Sequence, residues 1–132
     1  AYSVGVPAAL AAWRRLLAPA GWLVLSELCW REGARSAEAA AFWQREYPDM
    51  GDVTQLEARC AAAGYAVRGG FWLPDDAWAA YYGPLEAAVP AVRARHPQAE
   101  AQAALDDIGR EIALWRRFGG EFGYRFVVAQ RG

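Results

Sequence analysis

The spacing of hydrophobic residues near the amino terminus predicts a helix, a turn and a strand. The helix is indicated by four apolar residues that recur every three or four positions and therefore share one face: Val6, Leu10, Trp13 and Leu17. A Pro/Gly turn follows, and residues 22–25 form a continuous apolar run, which favours a strand covered on both faces. We expect Glu27 and Trp30 just past the carboxyl end of this strand, where open α/β sheets bind ligands.

A second helical region and a second strand are predicted further along the chain. Ser36 is suited to cap one helix, which stops before Pro48. Asp52 or Thr54 begins the next helix, since each is followed three residues later by the Gln or Glu of a capping box. That helix ends near residue 64, and residues 65–73 read as a strand that a Gly-Gly pair loosens.

The carboxyl-terminal part of the pattern predicts helices followed by one last strand. Pro74 begins a short helical turn, and Pro84 starts a separate helix because proline suits the first turn. The longest helix comes next, marked by the stripe Leu105, Ile108, Ile112 and Trp115. Residues 122–129 then alternate in part, which is typical of a strand.

Composition and charge exclude several classes of function. The 132 residues make one domain at most, 55% of them are hydrophobic, and the formal net charge is -1. Without a basic tract the chain is not expected to bind nucleic acid. Its apolar runs are too short to cross a membrane, and no signal-peptide pattern opens it, so we expect a cytoplasmic protein.

The soft metal ligands are too few to form a metal site. Cys29, Cys60 and His96 are the complete set of cysteine and histidine residues. A disulfide between the two cysteines is possible in principle, but reduced thiols are the default expectation. A thiol mechanism at Cys29 is disfavoured because no histidine lies near it in sequence.

Residues 16–27 read Leu-Leu-Ala-Pro-Ala-Gly-Trp-Leu-Val-Leu-Ser-Glu. They resemble the segment of class I S-adenosylmethionine-dependent methyltransferases in which a helix ending in Leu-Lys-Pro-Gly-Gly leads into the fifth strand. Here Ala18 replaces the usual lysine and Ala20 the first glycine. Residues 1–5 resemble the segment after the fourth strand in one subgroup. That subgroup also matches, in order, residues 26–30, Phe42-Trp43, Tyr47-Pro48, residues 63–65, Leu73-Pro74, Trp78, Tyr81 and Gly123-Tyr124.

This resemblance implies an α/β fold that is the carboxyl-terminal half of a Rossmann-like methyltransferase sheet. Its strands would be the fifth, sixth and seventh, in the spatial order five, seven, six, with the last strand antiparallel. Residues 1–132 would form a single partial domain, and residues 75–118 an added helical cover. The family's glycine-rich turn after the first strand, and the acidic residue after the second, do not occur here.

The resemblance also implies a function and a set of site residues. The chain would supply the acceptor side of an enzyme that methylates a small molecule with S-adenosylmethionine, and it would be inactive alone. Glu27 is the candidate that orients or deprotonates the acceptor; a solvated carboxylate, or a partner of Arg31, is the alternative. Tyr2 is the candidate cofactor contact. The candidate acceptor contacts are aromatic residues that could equally be core: Trp30, Trp43, Tyr47, Trp78, Tyr81 and Tyr82.

A half sheet would leave one edge of the strand at residues 22–27 without a neighbour. We therefore expect self-association through that open edge. Two other classes of function stay open. One is a non-catalytic module that binds a small aromatic ligand or a partner helix, and the other is a structural dimerisation domain.

Overall fold

The computed structural model describes residues 3–132 and shows an α/β fold with a three-stranded sheet. In chain order the elements are α1 (Val6–Arg14), β1 (Trp22–Trp30), α2 (Ala37–Glu46), α3 (Val53–Ala62), β2 (Tyr65–Trp72), α4 (Asp75–Arg95), α5 (Ala99–Phe118) and β3 (Phe122–Arg131). The chain forms two compact units. One contains the residues up to Leu73 together with Gly120–Gly132, and the other is Pro74–Gly119.

The sheet has the order β1-β3-β2, and β3 runs antiparallel to both of its neighbours. The β1–β3 ladder extends from the pair Trp22 and Gln130 to the pair Trp30 and Phe122. The order five, seven, six with an antiparallel last strand is therefore confirmed. The β2–β3 register shifts between Val67 and Gly69, a bulge at the point where the glycine pair begins.

One face of the sheet carries the hydrophobic core of the first unit. Side chains from alternate positions of β1, including Leu25 and Cys29, point to this face together with Val127 of β3. Helices α1 and α3 cover it with four buried side chains: Val6, Leu10, Leu56 and Cys60. The predicted stripe of α1 is correct to Trp13, but the helix ends at Arg14; Leu17 lies beyond it and still packs against the core.

The opposite face of the sheet is exposed at the Trp22 end and buried at the Trp30 end, where Leu28, Trp30 and Phe122 are each at most 6% exposed. Trp22 and Val24 of β1 are 56% and 60% exposed, and Phe71 of β2 is 53% exposed. Phe71 stacks on Phe126 of β3, with ring centroids 4.8 Å apart and 4° between the planes. The prediction that residues 22–25 are covered on both faces is therefore wrong within the described chain. An apolar run hides the alternation between faces, because both sets of positions are hydrophobic.

The predicted helix starts at Ser36 and Asp52 are confirmed. The Ser36 side chain accepts a hydrogen bond from the Ala39 amide at 3.3 Å. Asp52 and Gln55 form a capping box, in which each side chain accepts from the other's backbone amide at 2.9 Å. Gly64 follows α3 with a φ of +80°, the left-handed conformation that glycine adopts without strain.

In the second unit, α4 is one continuous helix of 21 residues that contains Pro84, so the prediction of a new helix starting there is wrong. Side chains on both sides of the proline bond to α5. The Tyr82 hydroxyl donates to Glu111 at 2.5 Å, and Arg93 pairs with Asp106 at 2.7 Å. Both halves of α4 are thus held on one partner helix, which offsets the lost backbone bond.

At 20 residues, α5 is shorter than α4, contrary to prediction. No described helix is both long and apolar enough to cross a membrane.

Replacing Pro84 by alanine tests whether α4 runs through this position. Because an interior proline removes a backbone bond and clashes with the preceding turn, Pro84→Ala should raise the free energy of unfolding by up to about 3 kcal/mol. Urea unfolding followed by circular dichroism measures it. Pro97→Ala, in the loop between α4 and α5, is the control and should lower stability by about 0.4–1 kcal/mol. No gain, or a loss, for Pro84→Ala would show that a helix begins there.

Candidate functional site

Three strand ends meet at one end of the sheet. Because β3 is antiparallel to β1 and β2, its start lies near the ends of the other two strands: Phe122 pairs with Trp30, and Arg125 pairs with Trp72. Trp30 at the end of β1 therefore contacts Phe122 at the start of β3, edge to face, with centroids 6.2 Å apart. Aromatic and charged side chains concentrate at this end of the sheet.

Glu27 lies within β1 and not past its end, which corrects the predicted position. The strand continues to Trp30 because β3 pairs with it as far as Phe122. Glu27 is only 5% exposed, and its carboxylate accepts a hydrogen bond from the Tyr47 hydroxyl. The alternative of a solvated carboxylate is therefore excluded. Tyr47, itself 6% exposed, follows the last residue of α2, so the end of that helix fixes the carboxylate.

Burial and negative charge dominate the electrostatics around Glu27. Burial, followed by the hydrogen bond to the Glu27 carboxylate, raises the pKa of Tyr47, so its hydroxyl stays protonated and keeps donating. Burial, and then the charge of Glu27, raise the pKa of the Cys29 thiol to about 12. Cys29 is therefore a neutral thiol at physiological pH, which is the wrong state for a nucleophile.

Trp43 joins Trp30 and Phe122 in an aromatic cluster at this end of the sheet. Its ring meets Phe122 at a centroid distance of 5.1 Å, and the side chain is 7% exposed. Within residues 3–132, its buried indole N–H has no hydrogen-bond acceptor. A buried donor without a partner is unusual in a folded protein, so this N–H is available to a bound ligand or water.

Sequence reasoning missed a cationic group built on Trp72. The guanidinium of Arg31 lies 4.6 Å from the centre of the Trp72 ring, and that of Arg125 lies 5.7 Å from it. Arg125 is opposite both Glu27 and Trp72 in the sheet register, so all three share the covered face. The available signal was the charge itself, because Arg125 is the one charged residue among residues 122–129 of β3.

An open pocket of about 270 Å³ lies at the end of β1. Trp30 lines it, together with Arg35, whose guanidinium lies 5.0 Å from the Trp30 ring and 3.9 Å from the Asp52 carboxylate. Among the described residues, no three His, Cys, Asp or Glu side chains are grouped so that they could hold a metal ion.

The other predicted contacts belong to the second unit or to residues outside the described part of the chain. In the second unit, Trp78 and Tyr82 are buried; Trp78 stacks on Trp115 with centroids 6.3 Å apart, and the Tyr82 ring lies 5.2 Å from the Trp115 ring, tilted by 46°. Tyr81, beside them in sequence, is 63% exposed. Tyr2, the predicted cofactor contact, falls outside the described residues. The structure thus joins Glu27 to Tyr47 and Trp30 to Trp43 through Phe122, all in the first unit.

The strand order, the antiparallel last strand and the helix positions define the class of fold: the carboxyl-terminal half of a class I methyltransferase sheet. No protein-family model and no curated protein matches the sequence.

Solved structures do match the fold. A methyltransferase from Geobacter sulfurreducens in complex with S-adenosyl-L-homocysteine is 17% identical, with a TM-score of 0.74 over 98% of this chain and 53% of that one. A candidate sarcosine dimethylglycine methyltransferase from Galdieria sulphuraria is 16% identical, with a TM-score of 0.71 over 97% and 48%. The [4+2]-cyclase SpnF is 18% identical, with a TM-score of 0.64 over 95% and 43%. The chain thus spans about half the length of these structures.

Replacing Tyr47 by phenylalanine tests the bond that holds Glu27. Since hydrogen bonds to charged groups contribute more than neutral ones, Tyr47→Phe should lower the free energy of unfolding by about 1.5–3 kcal/mol. The control is Tyr65→Phe, because the buried Tyr65 hydroxyl donates to the neutral backbone oxygen of Leu10 at 3.1 Å. It should cost about 0.5–1.5 kcal/mol in the same urea titration. A Tyr47→Phe cost no greater than the control's would contradict a bond to a buried carboxylate.

Proposed function

We propose that this chain forms the acceptor side of an S-adenosylmethionine-dependent methyltransferase that acts on a small molecule. The observation that carries the proposal is the buried Glu27, which Tyr47 holds three residues before the end of β1, near the end of the sheet where β1 and β2 end and β3 begins. The likeness of the fold to solved methyltransferases supports it. A cytoplasmic location is part of the proposal, supported by Cys29 and Cys60, which are both free buried thiols.

In this proposal Glu27 orients the acceptor. An ionised carboxylate accepts hydrogen bonds at both oxygens, and Tyr47 is the single donor that Glu27 has among residues 3–132. An N–H or O–H group of the acceptor can therefore bind the remaining positions, or give up a proton there if the reaction requires it. Trp30 and Trp43 stay proposed acceptor contacts. They lie on the face of the sheet opposite Glu27, because Trp30 is an odd number of residues from it in β1, and there they would exclude water from the end of the strand.

The described residues do not contain the motif that a protein of this kind needs to bind S-adenosylmethionine. A cofactor of this kind is gripped by a glycine-rich turn between a strand and the helix after it. Gly69 and Gly70 lie inside β2, and Gly119 and Gly120 lie before β3, so neither pair stands in such a turn. We therefore assign the principal cofactor contacts to a part of the enzyme outside this chain and expect the chain alone to be inactive. Tyr2 as a cofactor contact stays a prediction.

Titration calorimetry with S-adenosylmethionine tests whether the cofactor contacts lie outside this chain. The two proteins compared are this chain and the same chain extended upstream, from its gene, to the length of the solved relatives. Micromolar binding by the extended protein alone is expected, because the extension brings the glycine-rich turn. Equal binding by the short chain would contradict this assignment. If neither protein binds the cofactor, the methyltransferase proposal falls and a non-catalytic module is favoured.

We also propose that another strand pairs with the open edge of β1 and completes the sheet. When no other strand is bound there, two copies of this chain associate through that edge. Within the described chain, this edge has no partner strand over residues 22–27 and presents unpaired backbone groups. Beside it lies the exposed face with Trp22, Val24 and Phe71. Apolar side chains this exposed, next to an open strand edge, favour association.

Sedimentation velocity measures this association, and a charge on the exposed face should oppose it. Val24→Lys places an ammonium on the face beside the edge and should shift the protein toward monomer. Leu16→Lys is the matched control, since Leu16 is 81% exposed and lies outside the sheet, and it should leave the equilibrium unchanged. A wild-type chain that is monomeric at all concentrations would contradict the pairing, as would equal effects of the two variants.

A further inference from the structure

Arg125 is a charged side chain that the proposed function has not used. Its Nε–H is buried and has no acceptor within residues 3–132. A guanidinium has five N–H donors and no acceptor, so a buried Nε–H without a partner is unfavourable unless something else binds it. The observation therefore points to a group that is not part of this chain.

The obvious partner of Arg125, Glu27, is not paired with it. Glu27 lies directly opposite Arg125 in the β1–β3 register and on the same face. The structure nevertheless records no ion pair between them in its described part, and the Glu27 carboxylate accepts from Tyr47. Arg125 is thus positioned beside the candidate acceptor site without being neutralised by it.

The surroundings of Arg125 fix its guanidinium and bring a second one close. Trp72 packs against the guanidinium of Arg125 and against that of Arg31, so two positive charges lie on one ring. A Cβ atom at Gly70 would stand 2.3 Å from the Phe126 carbonyl oxygen and 2.9 Å from a terminal nitrogen of Arg125, so the glycine is required first by the close approach of the β3 backbone and also leaves room for the guanidinium. Gly123 likewise leaves room for the Arg31 guanidinium, at 3.2 Å. Two like charges held together in this way attract an anion.

We propose that Arg125 and Arg31 bind an anionic oxygen group of the methyl acceptor, either a carboxylate or a phosphate. Such a group supplies the acceptor atom that the Arg125 Nε–H lacks, and its oxygens match the fork geometry of a guanidinium. Bound there, the anionic end of the molecule fixes the other end beside Glu27. The assignment to a methyl acceptor rests on the proposed function, whereas the anion site itself does not.

Proton–nitrogen NMR of the arginine Nε–H groups tests the anion site on this chain. Sodium acetate and inorganic phosphate are the probes, titrated at constant ionic strength against sodium chloride. The Arg125 Nε–H signal is assigned by its loss in the Arg125→Lys variant. Its chemical shift should change with one of the probes until the site is saturated. The probe that saturates the site at the lower concentration shows whether the anionic group is a carboxylate or a phosphate. Arg131 is the internal control, because its Nε–H is also buried without an acceptor while its guanidinium already donates to the Leu17 carbonyl.

The second variant is Arg31→Lys, which keeps the positive charge but loses the planar guanidinium that can donate two parallel hydrogen bonds. It should weaken the affinity read at the Arg125 signal by roughly tenfold or more, the equivalent of one lost charge-assisted hydrogen bond. The inference is overturned if chloride shifts the Arg125 signal as much as either probe, or if Arg131 moves in parallel. It is also overturned if the Arg125 signal moves with neither probe.

The calorimetry described above separates this inference from the proposed function. If the extended protein binds the cofactor but neither probe shifts the Arg125 signal, the methyltransferase proposal is kept and the proposal of an anionic acceptor is wrong. A saturable Arg125 signal without cofactor binding by the extended protein would retain the anion site. Its assignment to a methyl acceptor would then fall.

Discussion

The antiparallel ladder between β1 and β3 is the interaction on which the rest of the structure depends. Its register runs without a break from Trp22 to Trp30, and this decides which side chains share a face. A shift of one residue would put Glu27 and Arg125 on opposite faces of the sheet. The position of the carboxylate and the end of β1 beside Phe122 follow from this register, whereas the cationic group on Trp72 also needs the register between β2 and β3.

The same sheet is covered on one face and only partly covered on the other within the described chain. α1 and α3 bury the face that carries Leu25 and Cys29, whereas Trp22, Val24 and Phe71 remain exposed on the other. A sheet of this kind has lost part of the hydrophobic free energy that a doubly covered sheet gains. That shortfall, and the open edge of β1, support the proposal that another strand completes the sheet.

Local signals in the sequence predicted the local structure well. The caps at Ser36 and Asp52 are short-range hydrogen bonds between residues three apart, so the sequence alone contains both partners. The interior proline of α4 was missed because the bonds that hold it straight, such as that between Tyr82 and Glu111, come from a helix far along the chain. The exposure of Val24 was missed because an apolar run does not reveal whether its second face is covered.

The candidate site was predicted only in part, for the same reason. Glu27 and Tyr47 were chosen separately, and the bond between them links positions twenty residues apart. The group formed by Arg31, Trp72 and Arg125 depends on the register of three strands, which periodicity does not give. In the sequence, this group was indicated only by Arg125, the one charged residue among residues 122–129.

Amide hydrogen exchange in β1 tests the central claim most directly, because an edge strand protects only the amides that face its neighbour. In this chain at low concentration, alternate amides of residues 22–27 should exchange quickly, while the others are protected by β3. In the extended protein the fast set should become slow, since a new strand bonds to that edge. The account would be contradicted if all of these amides were already protected in the short chain, or if extension left the fast set unchanged.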